Sequence, residues 1–279
     1  MIKTGRWNWK TILSADSKKM LKNIVLEIGK ITISFFYFIG DLMIMSTRAI
    51  IAVKKIPTYT EQLIKNFGYI GRDSLPLLVT SSVFMGLVVG LQVGMGAGPF
   101  TPPWVMGGII IKLVFLEMGP IIFGLLLANR VSAGISSEIG EMNVTEQIDA
   151  LRTSAIDPIE YIVMPRLLAS VLAVPILIVW GDLISLIFAF ISTYFTEGLT
   201  WTGFVKGMRG GFAPTDMYTS IIKGVVFGII IALIGCYFGL QAKHGAKGVG
   251  KATTFAVIWS SIILIIMDYL ISAILSFIW

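Results

Sequence analysis

Charge is scarce in this chain. Only 14% of its 279 residues are Asp, Glu, Lys or Arg, against about 25% in an ordinary soluble domain. With 56% hydrophobic residues, the composition is that of an all-α integral membrane protein and excludes a water-soluble globule. Cysteine is nearly absent: the single thiol, Cys236, lies inside an apolar run and cannot form an internal disulfide. One histidine, His244, excludes a His-rich metal site and argues against a His-dependent catalytic triad. No Gly-x-x-x-x-Gly-Lys-Ser/Thr loop occurs, so the chain does not bind ATP in that manner. No nucleophile–base pair or metal-ligand set is visible either, and neither a catalytic residue nor a metal is assigned. The basic N-terminus lacks a convincing cleavage site before the apolar run that starts near Ile31, which argues against a signal peptide.

What is present is a series of long apolar runs. Spans are expected at about 74–97, 105–128, 162–191, 217–240 and 252–278, each with roughly the 20 residues needed to cross a bilayer. Pro99, Pro102 and Pro103 mark the first short loop, and Pro175 suggests a bend in the third span. Residues 31–53 are also apolar but are interrupted by Asp41 and Arg48. They are read as an interfacial or re-entrant amphipathic helix, with a full span as the alternative. Residues 1–73 thus form an N-terminal segment, in which Trp7 and Trp9 suit a membrane interface, and residues 74–279 form the transmembrane domain.

The 22 Lys and Arg exceed the 16 Asp and Glu, but their placement points to topology, not to nucleic acid. Residues 1–73 hold twelve of them, 130–166 three and 243–251 three, while the opposite loops hold only Lys206 and Arg209. The positive-inside tendency then puts the N-terminus, the 130–166 segment and the 243–251 loop in the cytoplasm.

Between the two greasy halves lies a polar stretch from Glu138 to Pro158. Asn143 can cap a helix, and Glu146 stands where a capping-box carboxylate belongs. Val144, Ile148, Leu151 and Ala155 follow helical spacing, while Glu146, Asp149 and Arg152 fall off that stripe. Asp157-Pro158 reads as a second helix start. A short amphipathic helix that cannot span, held between membrane segments, is a docking element.

Several polar groups lie inside the spans. Glu117, followed by Pro120, which is expected to break the helix, is an expensive intramembrane carboxylate that must face a wet cavity, pair with a cation or carry a proton. Lys112, Asp182, Lys223 and Asp268 add charge, and Gln92 a neutral polar group. They line a substrate path or, equally, form structural ion pairs between helices. The pairing reading is the better one for Asp268, and Lys112 and Asp182 can snorkel to an interface. Gly86, Gly90 and Gly94 permit close helix approach, more commonly within a subunit than between subunits. The Gly- and Lys-rich segment 245–254 lacks phosphate-loop spacing and is expected to be a flexible turn.

In order, the chain contains Glu117-Met118-Gly119-Pro120, Ala128-Asn129-Arg130, Glu138-Ile139-Gly140, Thr145-Glu146-Gln147-Ile148-Asp149-Ala150-Leu151, Asp157-Pro158, Pro165-Arg166 and Gly248-Val249-Gly250-Lys251-Ala252-Thr253-Thr254. Over about 74–278 this resembles the MlaE (YrbE) permease family, membrane subunits of lipid ABC transporters that work with MCE proteins. The resemblance implies a homodimeric permease in the bacterial inner membrane, cytoplasmic ATPase subunits that carry ATP and Mg, and a periplasmic MCE-domain protein. It implies phospholipid moving between inner and outer membranes, with no cofactor on this chain and no nucleic acid. The family's coupling helix maps onto about 143–156, so ATPase coupling falls to Glu138, Glu141, Glu146, Asp149 and Arg152. The cavity carboxylate maps onto Glu117, and Gln92, Glu117 and Lys223 are expected nearest the lipid, with Lys223 meeting the phosphate. Apolar walls are expected from Leu87–Val89 and Ile229–Ile231. Many members have Arg before that Glu, where this chain has Leu116, which alters the charge balance of the cavity.

Two other classes compete. One is a proton-coupled secondary transporter working through Glu117 and Asp268, and the other is an ABC permease for a different hydrophobic substrate, such as a sterol. The amphipathic docking stretch favours an ABC permease, because a secondary transporter needs no motor-docking surface, and no inverted repeat is visible.

Overall fold

A computed structural model describes residues 15–96, 102–243 and 245–278. Trp7, Trp9, Pro99 and His244 lie outside the described residues. The described secondary structure is helical throughout, without a strand. The chain divides into two compact units, Met1–Thr47 and Arg48–Trp279.

The first long helix, α1 (Ala15–Ala52), is unbroken, without the internal turn a re-entrant segment would need. Pro57 lies in the tight 3-10 segment Val53–Thr58 that follows. Six stretches are long and apolar enough to cross a membrane: Thr32–Ala52, Thr60–Gly96, Trp104–Val144, Ile159–Glu197, Pro214–Leu240 and Ala246–Phe277. The last five contain the five expected spans, and Thr32–Ala52 adds a sixth that meets the same requirement.

Within the second unit, α2 (Thr60–Ile70) leads into α3 (Leu75–Gly96). Helix α3 packs along α8 (Met164–Glu197) through its glycine face. A Cβ on Gly86 would strike the backbone carbonyl of Ser185, one on Gly90 that of Ala189, and one on Gly94 the side chain of Thr196. Ser185 Oγ donates across the same contact to the Ser82 carbonyl at 3.0 Å. The glycine repeat therefore serves packing inside the chain and is not available as a subunit contact. Gly90→Val is expected to abolish a monodisperse detergent-solubilised peak on size exclusion, because the clash is with backbone that cannot swing away. Gly96→Val, with nothing near its Cβ position, should leave the peak unchanged.

The Trp104–Val144 stretch is a single rod of 41 residues, about 60 Å long at 1.5 Å per residue. It comprises α4 (Pro103–Leu113), a wide π-helical turn at Val114–Met118, α5 (Gly119–Leu127), a second wide turn at Ala128–Ser132, and α6 (Ala133–Val144). The expected break at Pro120 is not there. The π turn just before it widens the helix and absorbs the missing N–H without ending the rod. Nor does the helix end at Asn129-Arg130, which lie in the second wide turn. Arg130 Nη1 donates to Ser74 Oγ at 2.5 Å, and its guanidinium stands 5.5 Å from the Tyr69 ring centre.

Pro175 is accommodated inside α8, which runs on to Glu197 and stops at Gly198 in the left-handed region (φ 66°). The loop expected at 192–215 instead contains α9 (Trp201–Gly211), started by Thr200, whose Oγ1 accepts from the Gly203 amide. Gly107 and Gly207 let α9 lie against the backbone of α4, and Phe204 is buried beside Phe190. Helix α10 (Pro214–Leu240) crosses α8 where Gly224 meets Pro175 and Gly228 meets the Ser170 carbonyl. The flexible turn expected at 245–254 reduces to Gly245 (φ 70°), because α11 (Ala246–Ile278) already begins at Ala246.

Candidate functional site

The close crossing of α10 over α8 leaves Lys223 fully buried. Its ammonium nitrogen lies 2.6 Å from the Leu116 carbonyl, 3.1 Å from Glu117 Oε2 and 2.8 Å from Asp268 Oδ1. The Asp268 contact is an ion pair whose angle is too poor for an aligned hydrogen bond. The Leu116 oxygen is open to Lys223 for a local reason: Pro120, four residues on, has no N–H to give it. Two of the three donors of the ammonium go to the Leu116 carbonyl and Glu117, and Asp268 adds a close ion pair. One buried cation thus ties the rod to α10 and α11, and two carboxylates share it.

Glu117 is the member of this cluster that meets open space. Its side chain is 47% exposed, while that of Asp268 is 6%. Glu117 Oε1 also accepts from Ser272 Oγ at 2.8 Å. Beside them lies a cavity of about 900 Å³ bounded by Lys112, Leu116, Glu117, Thr215 and Thr219 on one side and by Asp268, Tyr269, Ser272, Leu275 and Phe277 on the other. It is a hollow of mixed character, with Glu117, Asp216, Asp268, Lys112 and several hydroxyls set among apolar surface from Leu116, Ala213, Ala273, Leu275 and Phe277.

Four expectations are corrected here. Lys223, expected to meet a phosphate, is fully buried and has no surface open to the cavity; the cation that lines the cavity is the exposed Lys112. Gln92 is exposed and lines no part of this cavity. It stands two residues from Gly90 and from Gly94, about 200° around the helix, so packing of the glycine face turns it away. Asp182 does not snorkel: it is fully buried and accepts from Ser220 Oγ at 2.9 Å. Neither Leu87–Val89 nor Ile229–Ile231, expected as apolar walls, borders this cavity, whose apolar surface includes Ala273, Leu275 and Phe277.

The polar stretch forms a second candidate site at one end of the bundle. The single helix expected at 143–156 is two pieces. Helix α6 continues through Val144, and after a turn α7 (Gln147–Thr153) begins. Asn143 is not a cap: its Nδ2 donates to the Leu240 and Ala242 carbonyls at 3.0 and 2.7 Å, fastening the connector to the end of α10. Glu146 sits at φ 59° without a capping hydrogen bond, so the capping box is not formed. Of the expected stripe, Ile148 is buried, Leu151 is half-buried, and Val144 and Ala155 are exposed.

Glu141, Glu146, Asp149 and Arg152 are all exposed, with Asp149 and Arg152 paired at 3.0 Å. Glu138 points elsewhere, to Arg166 at 2.9 Å. Asp157 Oδ1 accepts from the Ile159 amide, and its Oδ2 meets Arg48 at 2.7 Å. The result is an acidic, outward-facing connector held in place from three sides.

Comparison with known proteins identifies the family. A model of the family described as Permease MlaE matches residues 63–274. The chain belongs to the MlaE permease family. It is 36% identical over 253 residues to a probable ABC transporter permease protein of Rickettsia felis, covering 91% of this chain and 98% of the relative. It is 31% identical over 209 residues to a probable ABC transporter permease protein of Synechocystis, covering 75% and 80%. It is 28% identical over 264 residues to the intermembrane phospholipid transport system permease protein MlaE of Haemophilus influenzae, covering 92% and 98%.

As an MlaE-family member, the chain is a multi-pass membrane transport component. The match begins in α2, upstream of the expected start at 74. Of the residues expected nearest a substrate, Glu117 and Lys223 are brought together and Gln92 is not. Ser272 and Tyr269 were missed: a hydroxyl in a mainly apolar run carries no periodic signal, and only the packing of α11 on the rod puts them beside Glu117. Arg166 was quoted in a motif without a role, although it is the buried partner of Glu138.

Proposed function

We propose that this permease is the membrane-spanning half of a homodimeric ABC transporter that moves phospholipid between inner and outer membranes. In this reading residues 31–53 lie along the membrane interface and do not cross, so that the N-terminus and the Thr145–Arg152 connector are both in the cytoplasm and the chain sits in the inner membrane. A separate ATPase chain carrying ATP and Mg docks on that connector, and a periplasmic MCE-domain protein receives or delivers the lipid.

The cavity beside Glu117 is the observation that carries the proposal. Burying hydrocarbon against Leu116, Leu275 and Phe277 contributes about 0.8 kcal/mol per methylene, so acyl chains gain far more there than a small polar solute. Lys112, at the same cavity, offers a phosphate the charge that Lys223 cannot. The names of the relatives support the same class of protein.

The test uses the complex purified with its ATPase. It should carry co-purifying phospholipid, and native mass spectrometry should count two permease copies. Glu117→Gln should slow lipid transfer between vesicles by about tenfold while changing ATP hydrolysis much less. A monomeric complex with a single ATPase, or transport of a water-soluble solute without bound lipid, would defeat the reading.

A further inference from the structure

A separate hollow, of about 340 Å³, lies where α10 turns into α11, and it shares no lining residue with the cavity beside Glu117. It stands at the end of the bundle that carries the connector, which Asn143 fastens to Leu240 and Ala242. Lys243 and Lys251 border it, and Phe238 and Phe255, stacked with ring centres 6.0 Å apart, supply apolar wall. A tight reversal brings the two lysines to one hollow: Gly245 takes φ 70°, and a Cβ on Gly248 would strike the Lys243 carbonyl. Lys243, Lys247 and Lys251 are all exposed. No Asp or Glu occurs between Asp216 and Asp268. Among the described residues no carboxylate pairs with any of the three lysines, not even the exposed Glu141 beside the Gly140 that packs on Ala242 and Val249. Helix α11 has no acidic residue in its first turn, so its free amides add to the positive charge.

The helix that starts here says what the anion is attached to. At about 100° per residue, Lys247, Lys251, Phe255, Ile258 and Ile262 fall within about 80° of one another. Phe255, Ile258 and Ile262 are 49%, 45% and 44% exposed. Lys251 and Ile262 are about 17 Å apart along the helix, close to one leaflet's share of a hydrocarbon core about 30 Å thick. Cations at the border, continued by an exposed apolar strip of leaflet depth, match a phosphate and an acyl chain on one molecule.

From this geometry we infer that the hollow at the start of α11 binds the headgroup of an anionic phospholipid from the leaflet on the connector side. The phosphodiester sits between Lys243 and Lys251, Lys247 stands one turn away, and an acyl chain lies along Phe255, Ile258 and Ile262. Three cations without a paired carboxylate select a lipid of net negative charge, such as phosphatidylglycerol, and repel the ammonium of a zwitterionic headgroup. Free phosphate gains nothing from the apolar strip. The inference needs α11 to span the membrane, and it stands whether or not the chain transports lipid.

Photolabelling of the purified chain in nanodiscs tests this. Phosphatidylglycerol with a photoreactive group in its acyl chain should label residues 255–262, as located by peptide mass spectrometry. Phosphatidylcholine with the same tag should label them about tenfold less. Lys243→Gln with Lys251→Gln should lower the phosphatidylglycerol label to the phosphatidylcholine level. Arg72→Gln removes an exposed cation that pairs with Asp73 and lines neither hollow; it should leave the label unchanged. Equal labelling by the two lipids, an unaltered label in the double variant, or an equal loss in Arg72→Gln would overturn the inference. So would inorganic phosphate competing as well as untagged phosphatidylglycerol. A double variant that keeps its label but loses the ATPase would assign the lysines to the motor instead.

Discussion

Lys223→Ala should remove most of the folded protein from solubilised membranes, not merely slow transport. The substitution leaves Asp268, almost wholly buried, without its cation, and strips Glu117 and the Leu116 carbonyl of a shared donor. Breaking a buried pair from one side costs about 3–5 kcal/mol. A typical domain has only about 5–15 kcal/mol in all. Replacing both sides is different: Lys223→Met with Asp268→Leu fills the space with apolar atoms and should recover much of the lost yield and thermal stability. Glu117→Gln should be far milder than Lys223→Ala, because Glu117 is half exposed and keeps Ser272. Yield and the thermal unfolding midpoint in detergent are the readouts. Wild-type stability in Lys223→Ala would refute the view of this cluster as the tie between the rod, α10 and α11.

The second large effect is expected at the connector, and it should appear in coupling with stability untouched. Glu146→Lys with Asp149→Lys reverses two exposed charges while sparing Ile148 and Asn143, which anchor the segment. Juxtaposing like charges across an interface costs several kcal/mol. Co-purification of the ATPase, or transport per ATP hydrolysed, should then fall by about tenfold or more. The unfolding midpoint should not move, since surface changes are usually within about 0.5 kcal/mol. A double variant that assembles and transports normally would show that the motor docks elsewhere. The Asp149–Arg152 pair adds a control: Arg152→Ala frees Asp149 without reversing its charge and should weaken coupling less.

How much of this was legible in the sequence differs between fold and site. The long apolar runs announced the helices because a bilayer demands about 20 such residues irrespective of partners. Their ends were harder to read. Asn129-Arg130 looks like the polar border of a span, yet Ser74 and the Tyr69 ring satisfy Arg130 and the helix continues. Asn143 and Glu146 have the spacing of a capping box, but Asn143 finds the free carbonyls at the end of α10, a partner distant in sequence. At the site, the costliness of a charge in the membrane singled out Glu117, Lys223 and Asp268. Which of them would be enclosed could not be read from any local pattern. It follows from Gly224 and Gly228 drawing α10 against α8, and from Pro120 freeing the oxygen that holds the ammonium.

The Trp104–Val144 rod has a mechanical consequence. Glu117 and Glu141 lie on the same helix, 24 positions and about 36 Å apart, one at the cavity and the other at the connector. The rod is the direct covalent path between them, and an axial push at Glu141 reaches Glu117 only through the wide turn at Ala128–Ser132. The two π-helical turns, at Val114–Met118 and Ala128–Ser132, are the compliant joints along it. The first contains Glu117 itself, so the helix is widened where the carboxylate holds Ser272 and Lys223 at once.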